Sequence, residues 1–252
     1  MEATHDSAIN ALAAGTLPKT RHGSILEDLS AWAQHLSPSF TSLWIFGPES
    51  NLAHLSADIL EDSLVASYFF SRELGIEDPT QFFLTISYQL ATYFPAYEVL
   101  IDAKLHQSPE LLSKSLTIQF RELIARPFQQ LQAGGEITVS SRQIIIVNGL
   151  DECKSNQAQE ELLRILTTET EPLPFRWVVF TRPDGALDGQ RLGAKFTALP
   201  NLDAWRLKLG NCCARRGDTK VCVVRLEGDG IWVILFGSMH KAAHWAVLLF
   251  FF

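Results

Sequence analysis

Charge is scarce in this chain. Only 19% of its 252 residues are Asp, Glu, Lys or Arg, while 47% are hydrophobic, a balance that excludes a disordered chain and describes a folded one. Positive charge is the scarcer sign. With 21 Lys and Arg against 28 Asp and Glu, the net charge is -7 and the pI near 5.5, which argues against a general nucleic-acid binder. Cysteine is nearly absent: Cys153, Cys212, Cys213 and Cys222 contain no pair at metal-knuckle spacing, and the only close pair is vicinal. They read as free thiols in a reducing compartment. The opening MEATHDSAIN has no basic n-region and no apolar h-region, so no secretory signal is expected and the location expected is cytoplasmic. No internal repeat is found.

What charge there is lies unevenly. Residues 1–190 hold 12 Lys and Arg against 24 Asp and Glu, or -12, whereas residues 191–252 hold 9 against 4, or +5. The length suits one α/β domain with a smaller appendage. The expected division is an N-terminal segment over 1–17, the main domain over 18–190 and a divergent tail over 191–252. The tail's apolar bursts, Ile231 to Phe236 and Trp245 to Phe252, are separated by His240, Lys241 and His244. That interruption argues against a membrane crossing.

The strongest single stretch is RQIIIVNGLDEC, Arg142 to Cys153. Ile144, Ile145, Ile146 and Val147 form an unbroken β-branched run, the pattern of a strand buried on both faces of a parallel sheet. It breaks at Asn148-Gly149 and delivers Asp151 and Glu152 just past the strand's carboxyl end, the edge where open α/β sheets bind ligands. Adjacent carboxylates there suit a Mg²⁺ ion or an oriented water. The plainer reading is an acidic pair at a helix start, favoured by the dipole.

Other elements alternate around this strand. A helix begins near Ser24, with Ile25, Leu29 and Trp32 on one face. Strand candidates are Ser42 to Phe46, Leu64 to Phe70 and Phe175 to Thr181, and a helix is expected within Glu49 to Asp62. Asp78-Pro79-Thr80 opens a helix carrying Phe82, Phe83, Ile86 and Leu90. Further helices are expected over Tyr97 to His106, Ser115 to Gln132 and Gln157 to Thr168. Strands alternating with helices imply βαβ units and a mostly parallel sheet.

In this order the elements resemble the NACHT-type nucleoside triphosphatases of the signal-transducing P-loop class, above all the large fungal set with a nephrocystin-3-like N-terminal module. The resemblance rests on Thr20-Arg21, Leu43-Trp-Ile-Phe-Gly-Pro48, Ser67-Tyr-Phe-Phe-Ser-Arg72, Ile86-Ser-Tyr-Gln-Leu-Ala91, Gly149-Leu-Asp-Glu-Cys153 and Phe180-Thr-Arg-Pro183. It implies an α/β, P-loop NTPase-like fold with a mostly parallel sheet flanked by helices. It also implies ATP or GTP with Mg²⁺ as cofactor, with Asp151 as the metal ligand and catalytic roles on Asp151, Glu152 and Arg182. The phosphate-binding positions fall on Gly47, Pro48, Ala53 and His54, supported by Asn148.

The departures from the family pattern fall on that chemistry. A phosphate loop needs glycines for close backbone approach, a lysine on the phosphates and a hydroxyl on Mg²⁺. Here Leu52, Ala53 and His54 stand at those three positions, and Glu49 adds negative charge. Asn148 stands where the family commonly has aspartate. The plainer readings are a tight turn for Gly47-Pro48, a surface histidine for His54 and a strand-end ion pair for Arg182. The leading expectation is therefore a pseudo-NTPase or interaction module, with protein partners or self-association and no nucleic acid. The alternatives are a weakly active Mg-dependent NTPase switch and a non-functional fragment of a degraded gene. For the tail, packing on a partner domain and a stretch that no longer encodes the family's next domain both stay open.

Overall fold

The computed structural model describes residues 3–4, 23–34, 42–46, 51–137, 143–170, 173–182, 213–216, 219–226 and 231–238. Four strands form the parallel part of one sheet: β1 (Ser42–Phe46), β2 (Leu64–Phe69), β3 (Gln143–Asn148) and β4 (Phe175–Thr181), in the order β2-β3-β4-β1. Beyond β1 the sheet continues antiparallel through β7 (Ile231–Ser238), β6 (Thr219–Leu226) and β5 (Cys213–Arg216). The expected α/β architecture with a mostly parallel sheet is present. The strand beside β1 is β7, and β6 lies one place further out.

The central run behaves as its composition demands. Ile145 and Val147 belong to the core on one face of the sheet and Ile144 and Ile146 to the core on the other, all fully buried, because side chains alternate along a strand. On the first face lie α3 (Phe82–Tyr93), α4 (Pro95–Gln107), α5 (Leu116–Gln119) and α6 (Arg126–Ala133). On the second lie α1 (Gly23–Gln34) and α2 (Asn51–Ile59). A further helix, α7 (Asn156–Thr168), follows β3, with Ser155 Oγ accepting from the Ala158 N–H at its start.

Two polar devices hold helices on the sheet. Arg176 on β4 is fully buried and sends its Nη1 to the carbonyls of Trp32 and Ala33, 2.6 Å each, so a guanidinium closes the carboxyl end of α1 where the dipole favours a cation. Gln89 on α3 acts as a surrogate strand. Its Oε1 accepts from Ser67 N at 2.9 Å and its Nε2 donates to Ser67 O at 2.8 Å, closing part of the β2 edge that would otherwise invite pairing with another chain.

Between α5 and α6 the chain makes a π-helical stretch, Phe120–Ala125, in which Arg126 N–H donates to Arg121 O, five residues back. Pro127 supplies the cause. In a regular α-helix residue 127 would donate to the Leu123 carbonyl, but proline has no N–H and its ring crowds that carbonyl. The Tyr97 hydroxyl from α4 donates to Leu123 O instead, at 2.6 Å, and lies 2.6 Å from Ser87 Oγ. Since the phenol proton is committed to Leu123, Ser87 is the donor in the second bond. Burial pushes the Tyr97 phenol above its usual value, which keeps this donor protonated.

Candidate functional site

The carboxyl ends of β2, β3 and β4 meet at one edge. After β3, Gly149 turns the chain with φ +68°, and a Cβ there would lie 2.7 Å from the Phe70 carbonyl oxygen. Only glycine suits this position on both counts. The turn is pinned from both sides, Gly149 N donating to Phe180 O at 3.0 Å and Phe70 N to Asn148 O at 2.9 Å. The next residues, Leu150–Glu152, make one 3-10 turn that carries the acidic pair.

Both carboxylates are engaged by arginine. Arg182, just past β4, donates its backbone N–H to Asp151 Oδ1 at 3.0 Å, its Nε to Asp151 Oδ2 at 3.1 Å and an Nη2 proton to Glu152 Oε1 at 2.5 Å. Arg72, just past β2, donates its backbone N–H to Glu152 Oε2 at 2.8 Å, its Nη2 to Asp151 O at 2.8 Å and its Nε to Glu152 O at 3.1 Å. Gln159 of α7 is buried and holds the same turn from below, with Nε2 donating to the carbonyls of Asp151 (3.1 Å) and Cys153 (2.8 Å). The Arg182 guanidinium thus binds both carboxylates while the Arg72 guanidinium binds the backbone carbonyls of the same two residues, and together they tie three strand ends. Charge-assisted bonds of this kind are the stronger class. The Cys153 thiol beside it is buried and pushed up by that burial, so it stays protonated and is no nucleophile.

The other sequence candidates stand elsewhere. Ala53 and Leu52 are buried in the core between α2 and the sheet. His54 sets its ring 4.6 Å from that of Phe69. Asn148 closes β3 opposite Phe69 and Phe180. Gly47 and Pro48 lie outside the described residues. The edge also gains a tie between β1 and β4, where Trp44 Nε1 donates to Thr181 Oγ1 at 2.9 Å.

This donor set does not suit a magnesium nucleotide as it stands. One oxygen of each carboxylate, Asp151 Oδ2 and Glu152 Oε1, accepts from the Arg182 guanidinium and the other from a backbone N–H, so a cation held by both carboxylates would compete with a guanidinium of like charge. At two of the positions expected to hold phosphate, both inside α2, Ala53 offers no amine and His54 no hydroxyl. Among the described residues no three His, Cys, Asp or Glu side chains come together as a metal cage, and no helix is long and apolar enough to cross a membrane. Arg72 and Gln159 were not singled out from the sequence as site residues. Arg72 stood at the end of the β2 pattern, while Gln159 gave no signal beyond being a polar residue inside an amphipathic helix.

Fold and site together define an α/β protein whose parallel sheet carries an arginine-neutralised acidic pair at its carboxyl edge. The chain belongs to the nephrocystin 3 N-terminal family, whose model matches residues 27–182, more than half of its length. Neither a curated protein nor a solved structure matches the chain.

Proposed function

We propose that this chain is a NACHT-like module of the signal-transducing NTPase class in which nucleotide chemistry is disabled, and that it works through protein contacts as a pseudo-NTPase. One observation carries the reading: Asp151 and Glu152, the pair expected to serve Mg²⁺ and water, are spent on Arg72 and Arg182. In a working switch that pair would answer to a bound nucleotide. Here it joins the ends of β2, β3 and β4 as a fixed brace, and the lysine and hydroxyl that would hold phosphates and metal are replaced by Ala53 and His54.

A weakly active Mg-dependent NTPase is the second reading. The position of Asp151 and Glu152 at the carboxyl edge favours it, but it requires the Arg182 guanidinium to let go. Calorimetric titration of the full chain with ATP and with GTP, with and without Mg²⁺ at near-physiological salt, separates the two. The pseudo-NTPase reading expects dissociation constants no tighter than high micromolar and no measurable turnover, because losing the charged lysine contacts costs a few kcal/mol at about 1.4 kcal/mol per tenfold. A low-micromolar constant that depends on Mg²⁺ would overturn it.

A further inference from the structure

An open groove of about 610 Å³ lies between α3 and α4, bounded at one side by the 3-10 turn Pro109–Ser113. Leu84, Tyr88 and Ala91 line it from α3 at helical spacing i, i+4, i+7, with Leu105 opposite on α4. Its rim holds apolar side chains that a folded surface does not ordinarily cluster: Tyr88 is 52% exposed, Val99 69% and Leu112 48%. Contiguous exposed apolar surface with a polar border is the mark of an interaction site. Two parallel rows of apolar residues with a trough between them match the apolar face of a helix.

The groove's charge narrows the occupant. Glu98 and Asp102, one helical turn apart on α4, both line it. Glu98 has no ion-pair partner among the described residues, and Asp102 faces only His106, at 3.3 Å and with both side chains largely exposed. The nearest lysine of α4, Lys104, is committed to Glu122 at 2.6 Å. The trough is thus apolar with a negative wall.

We propose that this groove docks an amphipathic helix of a partner protein, with an apolar stripe seated between α3 and α4 and lysine or arginine beside the stripe meeting Glu98 and Asp102. The inference does not depend on the state of the acidic cluster, so it stands or falls apart from the pseudo-NTPase reading.

The test uses the full chain and two labelled helical peptides of about 18 residues, long enough to hold a helix in water. They share one leucine stripe and differ only in carrying lysine or glutamate beside it. Fluorescence anisotropy should show the lysine peptide binding about tenfold tighter than the glutamate peptide, the expected size of two exposed charge contacts changed from attraction to repulsion. Val99→Asp should abolish binding without moving the melting temperature, since Val99 is exposed. Glu98→Lys should narrow or reverse the preference. Equal binding of the two peptides, no binding of either, or indifference to Val99→Asp would overturn the proposal. So would a chain that self-associates at micromolar concentration through Val99, because a second copy would then be the occupant.

Discussion

Tyr97→Phe removes one oxygen atom and nothing else. The ring stacks on Phe128 at 4.6 Å between centroids, 20° from parallel, and phenylalanine keeps that contact. What is lost is the donor to Leu123 O, a carbonyl of a fully buried residue at the point where Pro127 has already withdrawn the helical N–H. Leaving such a group unpaired costs about 1–3 kcal/mol. Ser87 loses an acceptor too, but a serine in mid-helix turns its hydroxyl to a carbonyl of the preceding turn at little cost. The net expectation is about 2 kcal/mol, which for a chain of this size lowers the melting temperature by roughly 4–8 °C. Urea titrations followed by tryptophan fluorescence would measure it. The discriminating step is a double-mutant cycle with Pro127→Ala, which supplies an N–H for Leu123 O. In that background Tyr97→Phe should cost at least about 1 kcal/mol less than in the wild type. If the two effects add within about 0.5 kcal/mol, the proline is not the reason Tyr97 is needed, and the account of the π-helical stretch is wrong.

Three other expectations follow from the same contacts. Ile146→Asp places an unpaired charge in the core on the second face of the sheet and should collapse the soluble yield; a normally stable variant would mean β3 is not central. Gln89→Ala unmakes both bonds to the Ser67 backbone, costs about 1–2 kcal/mol and opens the β2 edge, so sedimentation should show concentration-dependent association that the parent chain lacks. Glu122 is held down to about 2 from 4.5, first by its hydrogen bond to Lys104, then by Arg126 and Arg121. A depressed carboxyl stabilises above its unfolded value and loses that contribution as pH falls from about 4.5 towards 2; with half-exposed arginines screening the cluster the effect is about 1 kcal/mol. Glu122→Gln should therefore differ from the parent in urea midpoint at pH 7, and the gap should close towards pH 2.

The sheet was legible because its signals are local. A four-residue β-branched run bounded by polar residues admits few structures other than a strand covered on both faces, and Ile145 and Ile146 do face opposite cores. Phe175 to Thr181 was readable with its bounds for the same reason. The π-helical stretch was not. Leu116, Phe120, Leu123, Ile124 and Leu131 keep helical spacing through it, so periodicity alone sees one unbroken helix. The tail showed apolar bursts, but which strand would lie beside β1 depends on pairing across the sheet, and no pattern within Thr219–Leu226 or Ile231–Ser238 states it.

The acidic pair illustrates the same limit in the site itself. Asp151 and Glu152 announce themselves by following a strand, and Arg182 by ending another. What decides their chemistry is that the Arg182 guanidinium reaches both of them, a contact that exists only because β4 pairs with β3. Two carboxylates read alone imply a cation. The same carboxylates read with one guanidinium bonded to both across neighbouring strand ends imply a brace, and the difference between an NTPase centre and a structural one is carried by a contact between strand ends that composition and spacing do not reveal. Removing that guanidinium is accordingly informative: Arg182→Ala should release Asp151 Oδ2 and Glu152 Oε1 while leaving the backbone N–H donors of residues 72 and 182 in place. If Mg²⁺ then raises the melting temperature of the variant but not of the parent, the brace is what excludes the metal. If neither responds, the acidic pair has lost its metal chemistry for reasons that lie outside the arginine cluster.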